Sequence, residues 1–164
     1  MAVGEIIGAA IGILMLIIVA YLVVGSTLST AELVTNSQKE ITQQNEARLN
    51  TNIRISDAQF NTSVGNVYMN VTNTGNEIIG NFQDMDVYLI NPEESPIYYS
   101  FNKTHSQITM PDGSAESIHV NQLDPGEMLW IEIDGPFTPT LKSGSEVVVV
   151  TPNGISGSAF IKVV

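Results

Sequence analysis

His105 and His119 are the chain's candidates for general-base or metal chemistry. His105 falls in a polar stretch read as a loop, and His119 in an alternating stretch read as a strand. Either binds a metal only if the fold brings carboxylates to it, so both read as surface histidines. Asp84 and Asp86 stand at i, i+2, which puts two carboxylates on one face of a strand. With Glu93, Glu94 or Asp112 they would offer oxygen ligands to Ca²⁺, which takes about six to eight. No EF-hand spacing accompanies them, and a solvated acidic face is the simpler reading. Paired carboxylates also serve glycoside hydrolysis, but nothing marks a cleft. Ser, His and Asp occur in no triad order, and the P-loop, dinucleotide, G-x-S-x-G and H-E-x-x-H patterns are absent. The expectation is a non-enzyme with no catalytic residue, no cofactor and no metal site.

Glu5 is the lone charge at the edge of an uncharged run, Ile6 to Gly25. At 1.5 Å per residue those twenty residues span about 30 Å, the thickness of a bilayer core. The run exceeds the ~7–15 residues of a signal-peptide core, and no Lys or Arg precedes it. It is apolar on every face, which has no place in a small soluble domain. Gly8 and Gly12 form a small-xxx-small pair that lets another helix approach closely. Tyr21 suits an interfacial aromatic. In a packed array, Glu5 would pair with the α-amino group of a neighbouring copy.

The 164 residues carry 6 Lys+Arg and 17 Asp+Glu, a net charge of −11. That excess repels phosphate backbones, so nucleic acid is not an expected partner. With no cysteine, disulfides, thiolate metal sites and Cys nucleophiles are excluded. Sequons stand at Asn61, Asn70 and Asn102. Together with the Thr/Asn-rich surface they favour an extracellular β-domain, N-glycosylated at one or more of these sites.

Ser26–Asn50 reads as a continuation of the helix, without Pro or Gly. Leu28, Ala31, Val34, Ile41 and Leu49 form a stripe too thin to hold a lone helix in water. Ser26, Thr27, Ser29 and Thr30 lower helix propensity, so a kink is expected just outside the membrane. From Ile53 onward the period becomes alternating. Candidate strands are Ile53–Phe60, Asn66–Asn73, Phe82–Ile90, Ile97–Phe101, Ser117–Leu123, Met128–Ile133, Glu146–Thr151 and Ala159–Val164. Asp124-Pro-Gly-Glu is the clearest turn, with Pro and Gly at its central positions. The predicted division is a helix with a polar neck over 1–50 and an Ig-like antiparallel β-sandwich over 51–164. The expected core includes Ile55, Val67, Met69, Val71, Val87, Leu89, Ile118, Val120, Leu129, Ile131, Ile133, Val148, Val150 and Ile161. The apolar run Val147–Val150 predicts a strand covered on both faces. Trp130 alternates out of step with Leu129 and Ile131, placing it on the other face as a helix cover or partner contact.

The short head, the apolar helix, the polar neck and the all-β domain together resemble the archaeal flagellin-like family. That group comprises archaellins, archaeal type IV pilin-like subunits and the accessory archaellum proteins FlaF and FlaG. The likeness covers the whole chain. It is strongest over Met1–Val34 and over Leu49–Glu77, where LNTNIRIS leads into VYMNVTNTGNE. It implies a type IV pilin-like architecture and a role at the cell surface in archaeal motility. Two roles are implied. One is a FlaF/FlaG-like anchored stator protein, whose β-domain contacts the surface layer or partner subunits. The other is a filament subunit that polymerises through its N-terminal helix. A chain that starts at Met1, with no basic leader, matches the first. A Met1 exposed by leader removal matches the second, and Glu5 then corresponds to the position-five glutamate of type IV pilins. An anchored adhesion module outside this family would instead show an aromatic-lined groove.

Overall fold

The computed structural model describes residues 2–80, 84–92, 94–101, 104–110, 113–114, 118–119, 122–134 and 141–164. Its first element is one α-helix, α1, Ala2–Asn50. At 49 residues it is about 74 Å long. α1 runs continuously through Ser26–Thr30, so no break occurs there. The Ser26 and Thr27 hydroxyls donate to the Val23 carbonyl at 2.9 and 2.8 Å. Those of Ser29 and Thr30 donate to Gly25 and Ser26 in the same way. Each hydroxyl is satisfied by the preceding turn, so it does not compete for the helix's own bonds.

The chain divides into two compact units, one ending at Gln44 and one covering Asn45–Val164. Among the described residues the second holds nine strands: β1 Ile53–Asn61, β2 Asn66–Asn73, β3 Asp86–Ile90, β4 Ile97–Ser100, β5 Thr104–Thr109, β6 Met128–Ile133, β7 Glu146–Val150, β8 Ser156–Phe160 and β9 Lys162–Val163. One sheet runs β5-β6-β2-β1-β9 and the other β4-β3-β7-β8. All pairs are antiparallel except β1–β9. Between β8 and β9 the chain crosses from one sheet to the other. Buried Ile161 sits at that crossing, its N–H donating to the Ser145 carbonyl at 2.8 Å.

Alternating residues of both sheets meet in one core. Val67, Val71, Val87, Leu89, Leu129 and Ile131 are fully buried there. Two expectations fail at β7. Val147 and Val149 are fully buried, but Val148 and Val150 are half-buried. Each sheet of a two-layer sandwich has one inner face, so an unbroken apolar run still alternates.

Ser117–Leu123 is not a strand among its described residues. Leu123 makes an isolated bridge to Ile79. His119 has φ of 54°, a left-handed conformation that no strand accommodates. Ile118 is 63% exposed rather than core, and Val120 lies outside the described residues. β5 was not anticipated, because an edge strand with Ile108 as its one apolar residue carries no readable alternation. His105 therefore lies in a strand and His119 does not, the reverse of expectation. β8 begins three residues before the expected Ala159, since Ser-Gly-Ser has no strand signature.

The Asp124–Glu127 turn forms as expected. Gly126 has φ of 88° and the Glu127 N–H donates to the Asp124 carbonyl at 3.1 Å. The junction at the end of α1 is backbone-bonded throughout. The Asn50 carbonyl accepts from Asn76 and Glu77, and the Asn52 carbonyl accepts from Thr74 and Gly75. A Cβ on Gly75 would stand 2.4 Å from the Asn50 oxygen, so only glycine allows this approach. Asn73 is wholly buried and fully bonded. Its amide donates to the Glu77 and Leu123 carbonyls, and its oxygen accepts from the Gly75 N–H.

Candidate functional site

Every residue from Val3 to Asn50 is exposed except half-buried Ala47. Glu5, Gly8 and Gly12 fall at i, i+3 and i+7, which places them on one helical face. A Cβ on Gly8 or Gly12 would meet nothing within 4 Å, so both sites are open to another helix. Tyr21 is 81% exposed on the opposite side. Beyond the apolar run, Leu28, Leu33, Val34, Ile41 and Leu49 are exposed as well.

The acidic pair does not form the strand-face site described above. Asp84 precedes β3, and Asp86 lies within it and accepts from the Tyr98 hydroxyl at 2.7 Å. Glu94 accepts from the Asn91 amide. Glu93 and Asp112 lie outside the described residues. His119 Nδ1 stands 2.8 Å from Asp124 Oδ2. Among the described residues no three His, Asp or Glu side chains converge as metal ligands do.

Two of the three sequons are described. Asn61 ends β1, and its oxygen accepts from the Ser63 N–H at 2.9 Å, an Asx turn. Asn70 lies in the middle of β2, half-buried on its outer side. Asn102 lies outside the described residues.

The outer face of the five-stranded sheet was legible only through Trp130. In register, Asp57, Asn70, Trp130 and Gln107 form one row across β1, β2, β6 and β5. Gln59, Tyr68 and Glu132 form the next. The Tyr68 and Trp130 rings stack at 6.1 Å and 27°. They border a groove of about 160 Å³ shared with Asp57, Gln59 and Asn70. Lys162 donates to Asp57 at 2.8 Å and Gln59 donates to it as well, and Lys162 first of all holds its carboxyl below the ordinary range. A hydrogen bond to Glu132 raises the Tyr68 phenol above its usual value. Burial alone raises Tyr99.

The chain matches the archaeal-type flagellin family over residues 2–159. An uncharacterized protein of Archaeoglobus fulgidus is 27% identical over 164 residues, covering 97% of this chain and 96% of its own. The archaeal flagellum of Methanospirillum hungatei strain JF1 superimposes with a TM-score of 0.66 at 16% identity, covering 96% of this chain and 92% of that one. That likeness takes in the helix and the antiparallel sheets together. The archaellum periplasmic stator protein FlaG from Sulfolobus acidocaldarius gives a TM-score of 0.48 at 27% identity, covering 67% of this chain and 98% of that one. The family match runs through helix and sandwich alike, and the chain belongs to the archaeal-type flagellin family as a structural component of the archaellum.

Proposed function

We propose that this chain is a filament-forming subunit, polymerising through α1 with its β-unit turned to the outside. The observation that carries this reading is the length of the exposed apolar surface on one unbroken helix. A bilayer accounts for about twenty residues. It leaves Leu28, Leu33, Val34, Ile41 and Leu49 in water on a further stretch of the same helix. Burying such a side chain gains about 1.5–3 kcal/mol. A bundle of parallel copies supplies that burial along all of α1 and replaces lipid around Ile6–Gly25. Gly8 and Gly12 are then the points of closest helix approach, and Glu5 pairs with the α-amino group of a neighbour. Glycan on the sequons belongs to the solvent side of the filament.

The same family also accommodates a membrane-anchored stator subunit bound to the surface layer, and one substitution separates the two. Gly12→Leu blocks close packing, so filaments are lost while the chain still reaches the membrane. Normal filaments from the Gly12→Leu variant would rule out close packing at that position. No effect on motility, with the chain retained in the membrane fraction, would favour the anchor.

A further inference from the structure

The groove beside Trp130 is lined by Asp57, Gln59, Tyr68, Asn70 and Trp130, all on the outer face of the five-stranded sheet. Its carboxylates are already engaged. Asp57 is held by Lys162 and Gln59, and Glu132 by Tyr68 and by the Asn66 amide at 2.8 Å. What remains open is neutral. Among the described residues, the Asn70 amide, the Trp130 indole N–H and the Gln107 amide have no hydrogen-bond partner. Asn70, Trp130 and Gln107 are neighbours in one row, spanning adjacent strands β2, β6 and β5. With Asp57 the row reaches about 14 Å at the usual strand spacing. An indole and a phenol thus present flat apolar surface flanked by side chains that both donate and accept.

We infer that this groove binds a neutral saccharide. The C–H face of a pyranose ring lies on the Trp130 indole, and its equatorial hydroxyls exchange hydrogen bonds with Asn70, Gln107 and the indole N–H. An anionic ligand is disfavoured by the net charge of −11 and by Asp57, Glu132 and Asp134 nearby. A lysine or arginine of a protein partner is the competing occupant; among the described lining residues the one carboxylate, Asp57, is already paired with Lys162. The length of the row fits a short run of sugar units better than a single ring. The site sits on the β-unit, so the inference stands whether the chain polymerises or remains an anchor.

Trp130 is the chain's sole tryptophan, so its fluorescence reports this site alone. The test uses the full chain in a detergent without a sugar headgroup, with Asn70 shown to be unmodified by intact mass. Cellotetraose, mannotetraose and chitotetraose are titrated in turn, with tetralysine in a parallel series. The expected result is a saturable change in Trp130 emission with at least one tetrasaccharide. Gln107→Ala, on an exposed edge strand where folding is not at stake, then weakens binding roughly three- to tenfold. Trp130→Leu, followed by calorimetry, abolishes it. Silence with all three sugars overturns the inference. So does a response that Gln107→Ala and Trp130→Leu leave unchanged. A response to tetralysine alone also overturns it and assigns the groove to a basic protein partner.

Discussion

The two parts of this chain solve the burial problem in opposite ways. The β-unit closes its own core. Among the described residues, sixteen of its hydrophobic side chains, Val67 and Leu129 among them, have a relative exposure of 3% or less. The helix closes nothing, and its leucines, isoleucines and valines stand open from Val3 to Leu49. Stability of the first is therefore a property of one chain. On the proposed reading, stability of the second belongs to an assembly. The polar surfaces differ accordingly. Among the described residues, side-chain bonds on the helix go to its own backbone, as Thr35 does to Ala31 and Thr42 to Gln38. Side chains of the β-unit tie distant segments together, as Asn153 does to Thr51 across 102 positions.

This contrast predicts that damage in one part leaves the other intact. The largest effect belongs to Ile17→Asp, in the middle of the apolar run. A buried carboxylate there costs about 2.5–3.5 kcal/mol per chain even by the mildest insertion scale. Repeated over every subunit, that cost eliminates filaments. Thermal unfolding of the β-unit, followed by near-UV circular dichroism, stays where it was. Leu129→Ala does the reverse. It opens a cavity in the core and lowers β-unit stability by about 2–5 kcal/mol, read by urea unfolding of the Asn45–Val164 fragment. That fragment is expected to be soluble and folded by itself. Gly75→Ala tests the seam where the end of α1 meets the sandwich. Its Cβ forces the 74–77 turn away from Asn50, at about 1–3 kcal/mol, and hydrogen exchange should quicken at Asn76 and Glu77 before it does in β2. Asp57→Asn is the smallest. The Asp57–Lys162 pair is partly exposed, so it contributes under about 1 kcal/mol. The Asp57 carboxyl lies below its ordinary value in the folded chain. Its contribution is therefore full above the ordinary carboxylate range and is lost as pH falls through the lowered value. The difference between wild type and Asp57→Asn should be present at neutral pH and vanish in acid.

The sequence yielded most where side chains alternate in a half-buried sheet. β2 and β6 were read to the residue, and β1 nearly so, because Val67-Tyr-Met-Asn-Val71 and Leu129-Trp-Ile131 declare two faces. It yielded least where partners far along the chain decide the outcome. β5 has little apolar content because it is an edge. β8 is glycine and serine because its backbone packs closely on β1, where a Cβ on Gly157 would stand 3.0 Å from the Ile53 oxygen. His119 adopts its left-handed backbone with no local glycine or turn signal to announce it. The assembly helix was visible in full, since its length and composition are local properties. The serines and threonines expected to kink or break it do not break it, each hydroxyl being satisfied by a carbonyl of the preceding turn. The outer groove was visible only as one tryptophan out of step. Its other members, Tyr68, Asn70 and Gln107, become neighbours through register, which no single strand encodes.

Electron microscopy of material sheared from cells that make this chain, with mass analysis of the same sample, tests the central claim most directly. The account predicts filaments in which this chain is the main protein, with α1 of each copy packed against others along its full length. A chain confined to the membrane fraction, absent from every filament, would contradict it.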